Sequence, residues 1–241
     1  MFEKVDNLKA ELDALRPLSP HTAKSLHEQL VVEWTYNSNA IEGNTLTLKE
    51  TKVVLEGITI GGKPMREHFE AINHKQAIEY VEAVVAGHEP FSKRLIKGIH
   101  QLVLKNIDDA NAGAYRRENV VISGAEHTPP SHLHVPDRMK ALMEWYAEFE
   151  GHPVERAARL HVDFVKIHPF VDGNGRTARL LMNFDLMKAG YQPVVIRAAD
   201  RLAYYEALDT AHTQNDYTGF LELAVQTEEG ALERVLAVAG S

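Results

Sequence analysis

"IHPFVDGNGRTAR", residues 167 to 179, decides how the fold of this chain is interpreted. The polar centre of this stretch lies between two segments, Val154 to Ile167 and Gly175 to Lys188, whose apolar residues recur at helical spacing. The glycines on either side of Asn174 favour a turn immediately before the second helix. We therefore predict two consecutive helices joined by a short loop that concentrates polar side chains.

The N-terminus of the second helix is suited to binding an anion. Backbone N–H groups without helical partners point outward there, and glycines at 173 and 175 let a phosphate approach the backbone closely. Arg176 and Arg179 are three positions apart, so both guanidinium groups can face the same anion. No Walker A pattern, with a lysine after its glycines, occurs in the sequence. Two arginines at a glycine-rich helix start predict a polyphosphate site of another type.

Two further residues of the stretch add chemistry to this site. Asp172 supplies a carboxylate oxygen, and one carboxylate together with phosphate oxygens is a common way to hold Mg²⁺. His168 is the one group in the cluster that can accept a proton near neutral pH. Each feature alone is more often a turn, a helix end or a solvated surface. Their combination in thirteen positions predicts a nucleoside triphosphate and Mg²⁺ site with a general base.

The remaining sequence predicts mostly helices. Apolar spacing, capping residues and breakers place them near residues 2–15, 21–41, 47–57, 65–86, 92–105, 137–149 and 199–212, followed by two shorter ones from about 217 and 231. Strands do not alternate with helices anywhere, so we predict an all-α fold.

One segment departs from this pattern. Residues 113–136, named the flap here, contain "ENVVISGAEHTPPSHLHVP", with a β-branched run, a glycine and two prolines but no helical period. We predict a small β-hairpin, which could be an ordinary surface hairpin or could line the site. His132 and His134 have spacing found in metal sites, but no acid and third ligand accompany them, so we do not expect a metal there.

Composition excludes several classes of function. The 241 residues carry 26 basic and 34 acidic side chains, a net charge of −8, which disfavours nucleic-acid binding. Cysteine is absent, and no run approaches the roughly 18 apolar residues of a membrane span. We expect a cytoplasmic protein without membrane association, with an N-terminal helical region at 1–60 packed against a core at 61–241 as one globular unit.

At these residues the sequence resembles the Fic family, whose signature H-P-F-x-[D/E]-G-N-G-R-x-x-R is matched from His168 to Arg179. About residues 65 to 225 are similar to a Fic core. The resemblance implies a Fic-type helical bundle with a β-hairpin flap. It also implies transfer of AMP from ATP to a protein hydroxyl, with release of pyrophosphate.

The resemblance also implies a role for each signature residue. His168 would be the general base that deprotonates the target hydroxyl, and Asp172 would hold Mg²⁺ on the phosphates of ATP. The flap would dock the target protein by pairing with one of its segments. Tyr204 and Tyr205 resemble the segment that approaches the adenine, although packing of a helix face explains them almost equally well. The residues that would hold the phosphates are Gly173, Asn174, Gly175, Arg176 and Arg179.

A second motif, "SNAIEGN" at residues 38 to 44, lies far upstream. Gly43 is a helix stop by its type, and Glu42 just before it would need a cation because a carboxylate is unfavourable at a helix C-terminus. Ser38, Glu42 and Gly43 resemble the Fic inhibitory motif, in which the glutamate pairs with the second signature arginine, here Arg179. This implies an intramolecularly self-inhibited enzyme.

Three functions remain open from the sequence. The leading one is a self-inhibited, Mg²⁺-dependent protein adenylyltransferase, whose target is unknown and could be the enzyme itself. The second is removal of AMP from a modified protein, with Glu42 orienting the attacking water. The third is a nucleotide-sensing module that binds ATP without transfer. The helix-rich ends could serve homodimerisation, but amphipathic helices more often complete a monomer's core.

Overall fold

Ten α-helices and two 3₁₀ turns account for the regular structure of residues 1–239, the part of the chain that this computed structural model describes. The predicted core region is therefore described up to residue 239. The all-α prediction is confirmed for these residues. The helices are α1 (Glu3–Leu15), α2 (Pro20–Ile41), α3 (Leu48–Leu55), α4 (Met65–Ala86), α5 (Lys93–Leu104), α6 (Val135–Glu148), α7 (Pro153–Ile167), α8 (Asn174–Lys188), α9 (Arg201–Gln214) and α10 (Thr218–Ala239), and the 3₁₀ turns are His132–His134 and Ala198–Asp200.

Helix α8 lies at the centre of the molecule. Nearly every residue from Asn174 to Leu186 is buried, because α7, α4, α5 and α2 all pack against this helix. A helix that is buried on all sides normally carries apolar residues all round. Here Arg176 and Arg179 are buried as well, each 2% exposed. Their charges must therefore be matched by groups on the neighbouring helices.

The N-terminal helices share the core of the remaining chain. Val5 and Leu12 of α1 belong to the same apolar cluster as Leu232 of α10, against which α1 packs. Trp34 of α2 belongs to that cluster too and is 1% exposed. Helices α1 and α2 are thus packed against the rest of the chain, and α2 contacts α8.

The predicted β-hairpin of the flap is wrong. No strand is formed in residues 113–136, which instead run irregularly to the 3₁₀ turn and the start of α6. Pro129 and Pro130 have no N–H group to donate to a ladder, and this weakens one arm as a strand. Pro136 lies in the first turn of α6, where proline is tolerated, so the helix begins two residues earlier than the sequence predicts.

Side chains join the two arms of the flap in place of a β-ladder. Arg116 donates one hydrogen bond of 2.9 Å to the Glu118 carbonyl and another to the Pro130 carbonyl. The Asn119 side-chain oxygen accepts a hydrogen bond of 2.9 Å from the backbone N–H of His132. The arms are therefore closed on each other without the register that a hairpin would impose.

The C-terminal part of the chain also differs from the prediction. The two short helices predicted from about residues 217 and 231 form the single helix α10. Gly230 does not interrupt it, because a glycine within a helix costs only about 1 kcal/mol relative to alanine. Burial of Val225 and Leu232 on the two sides of that glycine offsets this cost.

The three longest helices, α2, α4 and α10, have 22 residues each. That length would be enough for a membrane span, which needs about 20 apolar residues. None of the helices within residues 1–239 combines this length with the required hydropathy.

One buried acid ties α10 to the segment that follows α8. Glu228 is fully buried, and its Oε1 accepts a hydrogen bond of 3.0 Å from the backbone N–H of Gln192. Its second oxygen has no hydrogen-bond partner among the described residues. Burial raises the pKa of Glu228 to about 8, although the Gln192 N–H acts in the opposite direction. The folded chain therefore favours the neutral carboxyl.

A pH dependence of stability follows from this raised pKa. Because the folded pKa lies above the ordinary value of 4.5, the contribution of Glu228 to stability is lost as pH rises from about 4.5 to about 8. We expect Glu228→Gln to unfold like wild type near pH 4.5 and to be more stable by roughly 2 to 4 kcal/mol at pH 8. Thermal unfolding followed by circular dichroism measures this difference. Glu222→Gln, an exposed position on the same helix, is the control. A difference between wild type and Glu228→Gln that does not change with pH would contradict the assignment.

Candidate active site

The loop between α7 and α8 is shaped by left-handed backbone conformations at both ends. His168 has φ of 49° and ends α7, and Gly173 has φ of 74° and precedes α8. Asn174 closes the loop by pairing twice with Phe170: its Oδ1 accepts from the Phe170 N–H at 3.0 Å and its Nδ2 donates to the Phe170 carbonyl at 2.9 Å. The buried Phe170 ring anchors the loop in the core.

The His168 imidazole is neutral, and the residue is held in place by a hydrogen bond to its backbone carbonyl. Its side chain is half-buried, and burial lowers its pKa to about 4, with the Val165 carbonyl and the carboxylates of Glu42 and Asp172 only partly offsetting that effect. Arg116 Nε donates a hydrogen bond of 2.8 Å to the His168 carbonyl. A neutral imidazole at this position can accept a proton at pH 7.

His100 supports the loop from the other side. Its ring is stacked on the Phe170 ring, with centroids 3.5 Å apart and planes at 4°. Nδ1 accepts from the Gly113 N–H at 2.9 Å, so Nε2 carries the hydrogen and donates to the Asp172 carbonyl at 2.9 Å. Burial lowers the pKa of His100 to about 4, which keeps this arrangement neutral. One side chain thus connects the start of the flap to the loop that carries Asp172.

The N-terminus of α8 already holds an anionic group. Glu42 Oε1 lies so close to Gly175 that it occupies the space in which a Cβ atom at that position would lie. Glycine is therefore required at 175 in this state. The carboxylate lies where the sequence predicts a bound phosphate, at the positive end of the α8 dipole.

Glu42 is directed to this place by the end of α2. Helix α2 ends at Ile41, with Glu42 as its C-cap and Gly43 at φ of 97°. The Gly43 N–H donates to the Ala40 carbonyl at 3.1 Å, and the next N–H donates to the Asn39 carbonyl at 3.1 Å. This is the Schellman arrangement, which needs a left-handed residue at position 43.

Arg179 is the cation that meets Glu42. Its Nη2 donates to Glu42 Oε1 at 2.7 Å and to the Ser38 carbonyl at 2.8 Å, and its Nε donates to Ser38 Oγ at 3.0 Å. Its Nη1 donates to the Tyr204 hydroxyl at 3.2 Å. Burial alone would lower the pKa of Arg179, but Tyr204 and Glu42 outweigh it and the net shift is upward. The guanidinium is therefore fully charged.

Arg176 and Asp172 form the second charged group of the site. Arg176 Nη2 lies 3.2 Å from Asp172 Oδ1, and its Nη1 lies 3.5 Å from Glu70 Oε1. Arg66 of α4 lies 2.6 Å from the other Asp172 oxygen. Burial would raise the pKa of Asp172, but Arg176, the Gly173 N–H and Arg66 together lower it. The carboxylate is ionised and remains 43% exposed.

These residues fit a metal ion only together with phosphate. Among residues 1–239, no group of three or more histidine, aspartate or glutamate side chains converges to hold a metal by itself. Mg²⁺ is commonly held by one or two carboxylates and the phosphates of its substrate. Asp172, which is ionised and partly exposed beside the α8 N-terminus, provides a donor of that kind.

Tyr204 contacts Arg179, and Tyr205 contacts the C-terminal end of α2. Tyr204 is 1% exposed, and its hydroxyl lies between Arg179 and His161, 2.9 Å from His161 Nε2. The Tyr205 hydroxyl donates to the Ile41 carbonyl at 3.0 Å, immediately before Glu42. Tyr205 is 36% exposed, so part of its ring remains available to a nucleotide.

The structure brings together side chains from distant parts of the sequence, including several that sequence reasoning missed. Arg66, Glu70, His100 and Arg116 carry no recognisable motif, and each acts through a loop or helix packed against the signature. Only one weak feature of the sequence could have pointed to His100, namely its position on the buried face of a strongly amphipathic helix. A buried histidine at such a position normally needs hydrogen-bond partners.

A family model described as the Fic/DOC family matches residues 90–186. Among curated proteins, the chain is 36% identical over 242 residues to the protein adenylyltransferase Fic of Nematostella vectensis, covering 98% of this chain and 56% of that protein. It is 35% identical over 242 residues to the protein of that name in Aedes aegypti, with 98% and 47% covered. The chain therefore spans about half the length of the curated relatives it matches.

Solved structures agree over a larger share of their chains. A Fic domain containing signaling protein from Bacteroides thetaiotaomicron has a TM-score of 0.90 and 30% identity, covering 99% of this chain and 98% of that one. Fic-1 from C. elegans has a TM-score of 0.87 and 31% identity, covering 98% and 71%. Because these two structures are at least 30% identical to this chain, which covers 98% and 71% of their lengths, this chain belongs to the Fic family.

Proposed function

We propose that this chain is a self-inhibited protein adenylyltransferase, which transfers AMP from ATP to a hydroxyl side chain of a target protein and releases pyrophosphate. The observation that carries the proposal is the 2.7 Å ion pair between Glu42 and Arg179 at the N-terminal end of α8. It places an acid where a phosphate would bind, on an arginine suited to bind that phosphate. The curated relatives that carry the name protein adenylyltransferase support the same reaction.

The transfer step uses groups that are already in place. His168, neutral with a lowered pKa, accepts the proton of the target hydroxyl as its oxygen attacks the α-phosphorus. A new bond forms between that oxygen and phosphorus, and the bond to the bridging oxygen breaks, so pyrophosphate leaves with the electron pair. The α8 N-terminus, Arg176 and Arg179 stabilise the phosphate charges. Most of the catalysis is positioning and electrostatic stabilisation.

Asp172 is the residue that would hold Mg²⁺ on the phosphates. Bound there, the ion would neutralise phosphate charge and polarise the phosphoryl oxygens. Arg66 pairs with the exposed oxygen of Asp172 and is itself largely exposed, so it can move away when the nucleotide enters.

Inhibition follows from competition for one guanidinium. While Arg179 pairs with Glu42, it cannot also bind the outer phosphate, and the carboxylate repels that anion. ATP would then bind with its outer phosphates displaced, out of line for attack. Because Glu42 and Arg179 belong to one chain, the inhibition is intramolecular.

The target is proposed to dock on the flap. Val121 at the tip of the flap is 86% exposed, and no strand covers the flap backbone within the described residues. An extended target segment could pair with that backbone and present its hydroxyl to His168. The enzyme itself remains a candidate target.

Removal of AMP is a second candidate function, favoured by the position of Glu42. The carboxylate is 33% exposed and accepts from Arg179 through one oxygen, so the other can orient a water molecule. His168 would then have to protonate the leaving hydroxyl. Its lowered pKa makes the protonated form scarce at pH 7, which favours transfer over the reverse reaction in this state.

We expect Glu42→Gly to increase incorporation of labelled AMP at least tenfold, because Arg179 becomes free to bind the outer phosphate. His168→Ala in the same background should abolish incorporation, since Asp172 is paired with two arginines and His100 is held by two backbone hydrogen bonds, so neither can replace His168 as the base. Labelling with α-³²P-ATP and Mg²⁺ measures both. Glu56→Gly is the matched control, because Glu56 caps α3 before Gly57 with nearly the same backbone geometry but makes no ion pair with any residue in 1–239.

The outcomes of this experiment separate the three functions. Equal labelling by wild type and Glu42→Gly would remove the inhibitory role of Glu42. ATP binding without any transfer, even in Glu42→Gly, would identify a binding module. Release of AMP from a pre-labelled protein by wild type but not by Glu42→Gly would indicate the reverse reaction.

Tyr205→Phe tests how the inhibitory helix end is held. Loss of the hydroxyl removes the hydrogen bond to the Ile41 carbonyl, worth about 1 kcal/mol, so we expect a roughly three- to fivefold rise in labelling. The same substitution should add nothing in the Glu42→Gly background, because the helix end then no longer inhibits. A rise of equal size in both backgrounds would mean that Tyr205 acts on the nucleotide and not through α2.

A further inference from the structure

A cleft of about 460 Å³ lies beside the flap, outside the site described above. Its walls come from the second arm of the flap, from α6 and from the C-terminal end of α7. Leu142, Trp145, Ile167 and Pro130 give it a mainly apolar lining. A cleft of this size and composition accommodates one large apolar side chain.

The cleft is lined by the residue that directly precedes the proposed catalytic histidine in the chain. Ile167, which lines the cleft, is bonded to His168 in sequence. His127, another lining residue, is hydrogen-bonded through Nε2 to the Lys166 carbonyl at 2.9 Å, so the flap is fastened to the end of α7 here. A target segment that docks on the flap and reaches His168 would then lie near this cleft.

The charges at the cleft favour an acidic partner. Arg138 and Lys166 line it, and neither makes an ion pair or a side-chain hydrogen bond with any residue in 1–239. Asp163 is the one carboxylate in the lining, and its Oδ1 already accepts a hydrogen bond of 2.6 Å from the Tyr217 hydroxyl. The lining thus carries two cations against one carboxylate, Asp163, which lies within electrostatic range of Lys166, and this excess positive charge on a chain of net charge −8 marks a local site for anionic groups.

We propose that this cleft is a second docking site for the target protein and that it accepts an apolar side chain flanked by acidic residues. It would add sequence preference to the backbone pairing offered by the flap. This inference rests on the proposed function, because it takes the bound partner to be the acceptor of AMP.

Binding to a defined peptide tests the cleft without any transfer. The probe is the acetylated, amidated hexapeptide EDFEDS, compared with EDAEDS, which lacks the aromatic anchor, and with QNFQNS, which lacks the charges. The readout is tryptophan fluorescence, since Trp145 lines the cleft and the second tryptophan of the chain, Trp34, is 1% exposed in the core. His168→Ala in the absence of ATP removes any contribution of catalysis.

We expect a saturable change in fluorescence with EDFEDS and at least tenfold weaker binding of both comparison peptides. Arg138→Glu and Lys166→Glu should each weaken binding at least fivefold. The double charge reversal should instead prefer a KKFKKS peptide, and this gain shows that the variants are folded. Lys140→Glu is the matched control, because Lys140 is exposed on α6 outside the cleft and pairs with Glu144.

The proposal is overturned if EDFEDS gives no saturable signal up to millimolar concentration, or if Arg138→Glu binds all three peptides as the parent does. A fluorescence change produced by ATP alone, and not by peptide, would assign the cleft to the nucleotide and also overturn it. Failure of Glu42→Gly to transfer AMP, together with peptide binding as expected, would instead overturn the proposed function and leave the docking cleft standing.

Discussion

The buried charge of Arg179 is the constraint on which the arrangement of the site depends. A guanidinium at the centre of a buried helix is tolerated only where hydrogen bonds and an opposite charge replace its hydration. Ser38, Glu42 and Tyr204 provide those partners from two other helices. The same interaction therefore stabilises the packing of α2 against α8 and, in the proposed function, would block the phosphate site. Inhibition would then result from the way in which the resting protein balances a charge that the proposed catalysis needs.

In the proposed function, this double use of Arg179 would make ATP and Glu42 alternative partners. Losing one partner of a buried ion pair costs about 3–5 kcal/mol when nothing replaces it. A phosphate in the place of Glu42 would again balance the charge of Arg179, whereas a movement of α2 that left this place empty would not. Ser38 accepts two hydrogen bonds from Arg179 independently of Glu42, so the guanidinium keeps part of its support when the acid is absent. The competition then concerns one carboxylate and does not require α2 to unfold.

In the neighbouring cluster of charged residues around Asp172, opposite charges likewise replace hydration, although this cluster is less buried. Arg66 and Arg176 neutralise the carboxylate from two sides, and Glu70 pairs with both arginines. Charges alternate through this cluster, so the nucleotide of the proposed function would replace an internal ionic partner and would not enter an unbalanced field. Arg116 and His100 hold the backbone on which His168 and Asp172 lie, so neither contact uses the side chain of His168 or of Asp172.

Local sequence determined the helical fold and the chemical identity of the signature loop. Helix periods, the Thr47 capping box and the Gly43 stop act over a few residues, so they can be recognised without knowledge of the rest of the chain. Pairing of Glu42 with Arg179 was expected only through family resemblance, because nothing local relates residues 137 positions apart. The β-hairpin predicted for the flap was wrong, because its β-branched arm lacks a strand partner and its arms are joined by Arg116. The prediction of two separate C-terminal helices was also wrong, because buried residues on both sides of Gly230 kept α10 continuous. Tertiary packing alone decided which side chains support the loop and that Tyr205 holds the end of α2. It also decided that Arg138 and Lys166 face an apolar cleft. All of these are contacts between separate elements of the fold, which no local sequence pattern specifies.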